Sequence, residues 1–351
     1  MNYHAVKKII TCAALCVLSL GTGPGCKGVQ QTAPKKPPFT LVTSSHLFGI
    51  AAPDQTSAWI VGVDGLILHT ADEGKTWEQQ QSTIQTSLCD VAFINAKSGW
   101  ISGRTGIVIH TEDGGKTWIK QDTGISTHLF ALTFIDELYG WAVGDFGTIV
   151  HTADGGKTWV QQGAGEDKIY NDVCFVDRTR GWVVGEYGTI YGTADGGATW
   201  VKQECPDIVP VASETEWEAF PPSLYGVSFM NDRQGWASGM DGVIISTADG
   251  GATWKKIKNP AEQDKVTLYK IKGSGSTCFA VGQKGFCVYS RDAGKTWDIK
   301  KAETNTKSWL RDLDIIDEQR GFAVGSRGTI LKTADGATTW TMVSGIPLRM
   351  N

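Results

Sequence analysis

Seven copies of one eight-residue phrase restrict what this chain can fold into more than any other feature. They read TADEGKTW (Thr70 to Trp77), TEDGGKTW (Thr111 to Trp118), TADGGKTW (Thr152 to Trp159), TADGGATW (Thr193 to Trp200), TADGGATW (Thr247 to Trp254), SRDAGKTW (Ser290 to Trp297) and TADGATTW (Thr333 to Trp340). The closing tryptophans stand 41, 41, 41, 54, 43 and 43 residues apart. A fixed period near 40 built from strand-like pieces marks a radial array of small sheets.

One repeat, Leu129 to Gln161, divides into four short strands bounded by turn residues. Leu129 to Ile135 is the first and Gly140 to Val143 the second. A tight Gly144-Asp145-Phe146-Gly147 turn leads to Thr148 to His151, and the repeated phrase leads to Thr158 to Gln161. A four-stranded antiparallel sheet of this size cannot bury both faces alone, so such units stack around an axis as propeller blades. The expected fold is therefore all-β: a seven-bladed β-propeller of four-stranded antiparallel blades. Each blade carries an aromatic residue opening its second strand and a tryptophan closing the phrase, which together can build the core between blades.

The phrase is the Asp-box, or bacterial neuraminidase repeat. Its aspartates are Asp72, Asp113, Asp154, Asp195, Asp249, Asp292 and Asp335. Each is expected to accept hydrogen bonds from its own loop over a buried tryptophan. Seven copies at equivalent positions point to a repeated fold element rather than to a metal or sugar site.

Residues 1–26 have the layout of a secretory signal: Lys7 and Lys8, an apolar run from Ile9 to Leu20, then Gly23-Pro24-Gly25-Cys26. Cys26 is the candidate lipidated cysteine, with simple secretion or an uncleaved signal anchor as alternatives. Residues 27–38, KGVQQTAPKKPP, read as an extended tether, and residues 39–351 as the propeller. The remaining cysteines, Cys89, Cys174, Cys205, Cys278 and Cys287, are odd in number and lack a repeated spacing, so no disulfide framework is expected. Cys278 and Cys287 flank one expected hairpin, which leaves a single bridge open.

A formal net charge of −4 with no basic run in the propeller argues against a nucleic-acid partner. His69, His110 and His151 occupy one slot in three successive blades. Packed sheets lie about 10 Å apart and zinc ligands sit about 2 Å from their metal, so the three are structural and no metal or other cofactor is expected. A sialidase would need an arginine cluster, a tyrosine–glutamate pair and an F-R-I-P-like segment; the nine arginines are scattered and SAWIVGVDGLILH, before the first box, contains none.

The turns joining the second and third strands, and the linkers between blades, should share one face, opposite the Asp-box loops. Two irregularities fall there. The 54-residue spacing places an acidic insertion at 204–222, carrying Trp217 and Phe220. The paired residues inside the G-x-x-G turns also differ from blade to blade. Arg104, Lys284 and Arg327 form a basic arc, broken by Asp64, that Arg311, on the seventh inner strand, extends toward the channel, while Asp145, Glu186 and Asp241 form an acidic arc beside Phe146, Tyr187 and Met240. Arg104, Lys284, Arg311, Arg327, Trp217, Phe146 and Tyr187 are the candidate partner-binding residues.

The stretches GWAVGDFGTIVHTADGGKTW and GWVVGEYGTIYGTADGGATW resemble the photosystem II stability and assembly factor propellers of cyanobacteria and plastids, and their relatives in non-photosynthetic bacteria. The resemblance implies a lipid-anchored scaffold, monomeric and non-enzymatic, on the outer side of a membrane. It would hold a membrane or envelope protein: a photosystem II reaction-centre subunit in a photosynthetic host, on the lumen side of the thylakoid, with Arg104, Arg327 and Arg311 as counterparts of the family's arginines. The alternative is an Asp-box hydrolase of the sialidase kind, or a glycan-binding protein.

Overall fold

The structure is a computed structural model that describes residues 45–163, 166–210, 220–301 and 307–344. The segment expected to be a signal, with Cys26, the expected tether, and Trp217 within the insertion lie outside these residues. Seven four-stranded sheets, each antiparallel and each in sequence order, form the blades of a closed ring. The inner strands are Leu47–Ala51, Leu88–Phe93, Leu129–Phe134, Tyr170–Phe175, Leu224–Phe229, Leu268–Ser274 and Leu310–Ile315. Neighbouring inner strands touch, the first and seventh included.

The sequence alone allows two ways to close the ring, a strand from residues 39–42 pairing with blade seven or a blade that completes itself; residues 39–42 lie outside the described residues. Blade seven has four strands of its own, ending in Thr341–Ser344. The seam is held by other means: Gly328 N donates to Ser45 O at 2.7 Å, Ile50 N to an Asp312 carboxylate oxygen at 2.8 Å, and Ala52 N to Asp314 at 2.8 Å.

The core lies between blades and is aromatic. Trp141 of blade three stacks on Phe175 of blade four at 3.5 Å between centroids, and the Asp-box Trp200 meets that phenylalanine edge-on at 6.0 Å. Stacked and edge-on contacts of this kind add to the gain from burial alone. The Trp141 indole also donates to Gly196 O at 3.0 Å, and the Gln162 amide reaches the same carbonyl at 3.1 Å. The same arrangement recurs around Gly114, Gly155 and Gly250, so a box loop fastens its own hairpin and also receives the blade before it.

Within each box the aspartate is engaged as the loop sequence predicts. In the third, Asp154 accepts Thr152 Oγ1 at 2.9 Å, Thr158 N at 2.9 Å and Thr158 Oγ1 at 2.7 Å. These bonds favour the charged form, and Asp154 is held below the usual carboxylate range by Thr158 above all. Equivalent bonds hold Asp113, Asp195, Asp249 and Asp292 at about 2; Asp72 and Asp335 are also lowered, against the opposing effect of burial.

His69, His110 and His151 stack on Trp59, Trp100 and Trp141, and burial lowers the pKa of all three. All five cysteines of the propeller are free. Cys278 lies opposite Ser290, and Cys287 opposite Val281, so the hairpin that might have bridged them puts them on different rungs.

Candidate functional site

Two glycines frame every turn between second and third strands, for different reasons. At Gly144 the linker into the blade passes so close that an added Cβ would lie 1.7 Å from His128 O. At Gly147 the backbone is left-handed, φ +66. The residue before that second glycine is left-handed too, and the Asp145 carbonyl accepts the Thr148 amide across the pair. Left-handed φ at both central positions defines a type I′ turn, which prefers Asn or Asp followed by Gly. Asp64 and Asp241 satisfy that preference, but the other five blades place Thr105, Phe146, Tyr187, Lys284 and Arg327 there. Each such choice strains the backbone, by about 1 kcal/mol or more. Phe146 is 70% exposed and Tyr187 49%. Five blades thus carry a locally unfavourable residue whose side chain gives little back to the core, and departures of this kind concentrate at functional sites.

The inner strands supply the rest of the site. All seven break register near their start, so one bulged residue per blade is left out of the ladder. A bulge re-aims its side chain. The seven are Phe48, Cys89, Phe130, Asn171, Tyr225, Tyr269 and Arg311, all half-buried at the channel mouth on the turn face. Tyr225 and Tyr269 meet at 5.6 Å, the Arg311 guanidinium lies 5.3 Å over Tyr269, and Phe48 stacks on Trp309 at 6.2 Å. Burial pushes the Cys89 thiol up to about 11; the charges of Arg311 and Arg104 pull it down, while those of Asp90 and Asp145 push it further up. Arg311 is also felt by Tyr225, whose hydroxyl is raised mainly by burial. No ion pair among the described residues engages Arg311.

Of the candidate residues, Arg311 lies at the mouth, and Arg104, on the exposed turn of blade two, is near enough for its charge to act on Cys89 there. Lys284 and Arg327 stand on exposed turns of blades six and seven, and Phe146 and Tyr187 on those of blades three and four. Phe220 packs on Tyr187 at 5.0 Å.

Below the mouth the channel is closed by a charged layer that the sequence reading missed. The third residues of the inner strands are Gly49, Asp90, Ala131, Asp172, Gly226, Lys270 and Asp312. Lys270 Nζ lies 2.9 Å from Asp172 and 3.9 Å from Asp312. Burial opposes its charge, but Asp172, Asp312 and Asp90 together outweigh burial and hold it charged. Each of the three aspartates also accepts two backbone amides, one from the residue after it and one from the next blade. Burial still dominates at Asp90, which is raised, and at Asp312, raised to about 7 against the pull of Lys270. The layer floors a well of about 230 Å3 that opens toward the Asp-box face, past Cys174, Ser228, Lys272 and Asp314. Among the described residues no group of three or more His, Cys, Asp or Glu side chains is placed to hold a metal ion.

A sequence model of the family described as "Photosynthesis system II assembly factor YCF48" matches residues 32–122 and 209–305, more than half of the chain. The chain belongs to this family. Similar family relatives include the "Photosystem II assembly lipoprotein Ycf48" of Synechococcus sp. (strain CC9902), 26% identical over 137 residues that cover 38% of this chain and 41% of that protein. The "Photosystem II stability/assembly factor HCF136, chloroplastic" of Arabidopsis thaliana is 23% identical over 137 residues, 36% of this chain and 34% of that one. The chain thus spans about two fifths or less of the length of these curated relatives. Among solved structures, "YCF48 bound to D1 peptide" superposes with a TM-score of 0.66 at 20% identity, covering 84% of this chain and 94% of that one. The GH74 xyloglucanase from Xanthomonas campestris also reaches 0.66, at 12% identity, over 87% of this chain and 55% of the enzyme. These two likenesses are likenesses of fold.

Proposed function

We propose that this chain is a non-catalytic assembly propeller whose turn face holds a peptide segment of a membrane protein, a photosystem II reaction-centre subunit such as D1 in a photosynthetic host. The observation that carries this reading is Arg311. A bulge turns its guanidinium into an aromatic mouth, near Arg104 and without a carboxylate partner among the described residues. A half-buried, unpaired guanidinium is a ready receptor for a carboxylate. The aromatic neighbours supply apolar contact and limit the water that would compete. D1 enters this reading because the family relative of similar fold was solved with a D1 peptide.

In the same reading Cys26 carries a lipid, 27–38 is a tether, and the propeller acts as a monomer on the outer side of its membrane. The hydrolase alternative lacks comparable support. A general glycosidase presents two carboxyl groups to its substrate. The channel aspartates Asp90, Asp172 and Asp312 instead have both oxygens bonded to backbone amides.

The test is fluorescence anisotropy with a labelled D1 peptide. Arg311→Glu should weaken binding by at least about tenfold and Arg104→Glu should weaken it too, with the double variant departing from the sum because both cations serve one site, while Asp154→Ala on the opposite face leaves affinity unchanged. Equal affinity in the wild type and in Arg311→Glu would remove the turn face as the receptor.

A further inference from the structure

The insertion between blades four and five is the largest departure from the repeat, and its described flanks are firmly seated. Pro206–Ile208 forms one 3-10 turn, and Ile208 is buried with Trp182, Leu224 and Trp254. The Cys205 thiol donates to Trp254 O at 3.5 Å, and Lys256 N donates to Asp207 Oδ2 at 3.1 Å. On the returning side Pro221 lies over Gly188, where an added Cβ would come within 2.8 Å of the proline. A stem fixed in this way could have buried its apolar residues.

It does not. Phe220 is 60% exposed and Val209 55%, beside Tyr187 and, on the next blade, Met240 at 39%. These four, of ten large apolar side chains exposed among the described residues, line one open cleft of about 640 Å3. Converging exposed apolar groups rimmed by polar ones mark an interaction site. The rim carries Asp207, Asp241 and Glu262 against Lys256 and Lys265, and Lys256 is already paired with Glu262 at 2.7 Å. With that pair set aside, Asp207 and Asp241 stand against Lys265, so the described rim keeps a net negative charge. Across the same face stand the cations Arg104 and Arg311.

We infer that the cleft is a second peptide subsite, which takes an aromatic or aliphatic anchor flanked by lysine or arginine. This rests on the reading of the turn face as a peptide receptor, and it gives that face a polarity. The acidic or carboxylate part of a bound segment lies at Arg311, and its basic, apolar part lies between the insertion stem and Met240. Extended peptides commonly dock in grooves lined by aromatic and proline side chains, with pockets and flanking charge deciding which segment fits.

The test uses the full chain and two fluorescein-labelled peptides, GKKFPLKKG and its twin GEEFPLEEG, in low salt, where rim charges act most strongly. The lysine peptide should bind at least about tenfold tighter than the glutamate twin. Phe220→Ser should weaken the lysine peptide about fivefold or more. Asp241→Asn, which keeps a residue suited to the left-handed turn, should weaken it about threefold. Asp154→Ala, on the opposite face, should leave it unchanged. Matching thermal transitions would show that the variants are folded. Equal affinity for the twins, or no effect of Phe220→Ser, overturns the inference. Concentration-dependent self-association that Phe220→Ser abolishes overturns it as well, by assigning the cleft to a second copy of the chain. If the D1 peptide binds through Arg311 but the lysine peptide does not discriminate, only the cleft falls. If the lysine peptide discriminates and the D1 peptide ignores Arg311, the D1 assignment falls and the cleft stands.

Discussion

The Asp312 carboxylate accepts the Ile50 amide at 2.8 Å and so joins the last blade to the first. Its other oxygen accepts Leu313 N at 2.9 Å, and Lys270 lies 3.9 Å away. Asp90 and Asp172 make the same reach from blade two to three and from four to five. The ring is thus tied at three of its seams by a carboxylate held out of water, which makes closure sensitive to protons.

Asp312 titrates at about 7 when folded, against an ordinary carboxylate value of 3.8. Between those values the folded chain binds a proton that the unfolded chain has released. The contribution of Asp312 is therefore fully present below the unfolded value and is lost as pH rises toward 7 and beyond. Asp312→Asn cannot titrate and leaves one of the two amides without a good acceptor. Urea unfolding from pH 5 to pH 8 should show the wild type most advantaged over this variant at pH 5, with the gap narrowing as pH rises. A gap that widens with pH would reverse the sign argued here.

The Asp-box carboxylates behave in the opposite way. Asp154 is held low by bonds to Thr158 and Thr152, so its contribution is present above the ordinary carboxylate value and is lost on acidification below it. Asp154→Ala should cost about 1–3 kcal/mol and lower the melting temperature by several degrees at neutral pH. The penalty should shrink toward pH 2. Thermal scans at pH 7 and pH 2.5 measure both.

Trp141→Phe keeps an aromatic ring against Phe175 but removes the indole donor to Gly196 O. A loss of about 1–3 kcal/mol is expected, part from the bond and part from the smaller ring. Peptide binding should be unchanged, because this contact belongs to the Asp-box side. Chemical denaturation and anisotropy on the same samples would expose any coupling between the two faces.

Phe146→Asn sets the turn preference against the surface. Asn suits the left-handed position that Phe146 holds at φ 55, and the lost side chain is mostly exposed. Stability should rise by some tenths to about 1 kcal/mol. If the phenylalanine is there for a partner, affinity for the D1 peptide should fall in the same variant. A gain in stability with full affinity would leave Phe146 unexplained.

The architecture was readable from the sequence because the phrase recurs in phase with the blade. In all seven copies its opening hydroxyl donates to its aspartate, and the aspartate accepts the amide and hydroxyl of the threonine four residues on. The turn residues were readable too, since G-x-x-G fixes where they stand. The channel was not. Asp90, Asp172, Lys270 and Asp312 sit in strands of mixed polarity, such as LYKIKGS and LRDLDI, where simple alternation gives no reason to bring them together. The bulge before each of them shifts the inner strand by one residue, and that shift aims Arg311, Tyr225 and Tyr269 at the mouth. A comparison of the third inner-strand residue across all seven repeats would have isolated the four charged positions. Chemical character alone hid them.

Among the described residues blade seven is complete in itself and no strand is shared across the seam. Each blade is one uninterrupted stretch of chain, and Asp312–Ile50 does at the closing joint what Asp90–Leu132 does between blades two and three. In assembly terms the circle has no privileged starting point. A chain rejoined across the seam and opened at another linker would carry the same seven units in the same cyclic order, so the number and order of blades can change by whole-unit duplication or loss without inventing a new way to close.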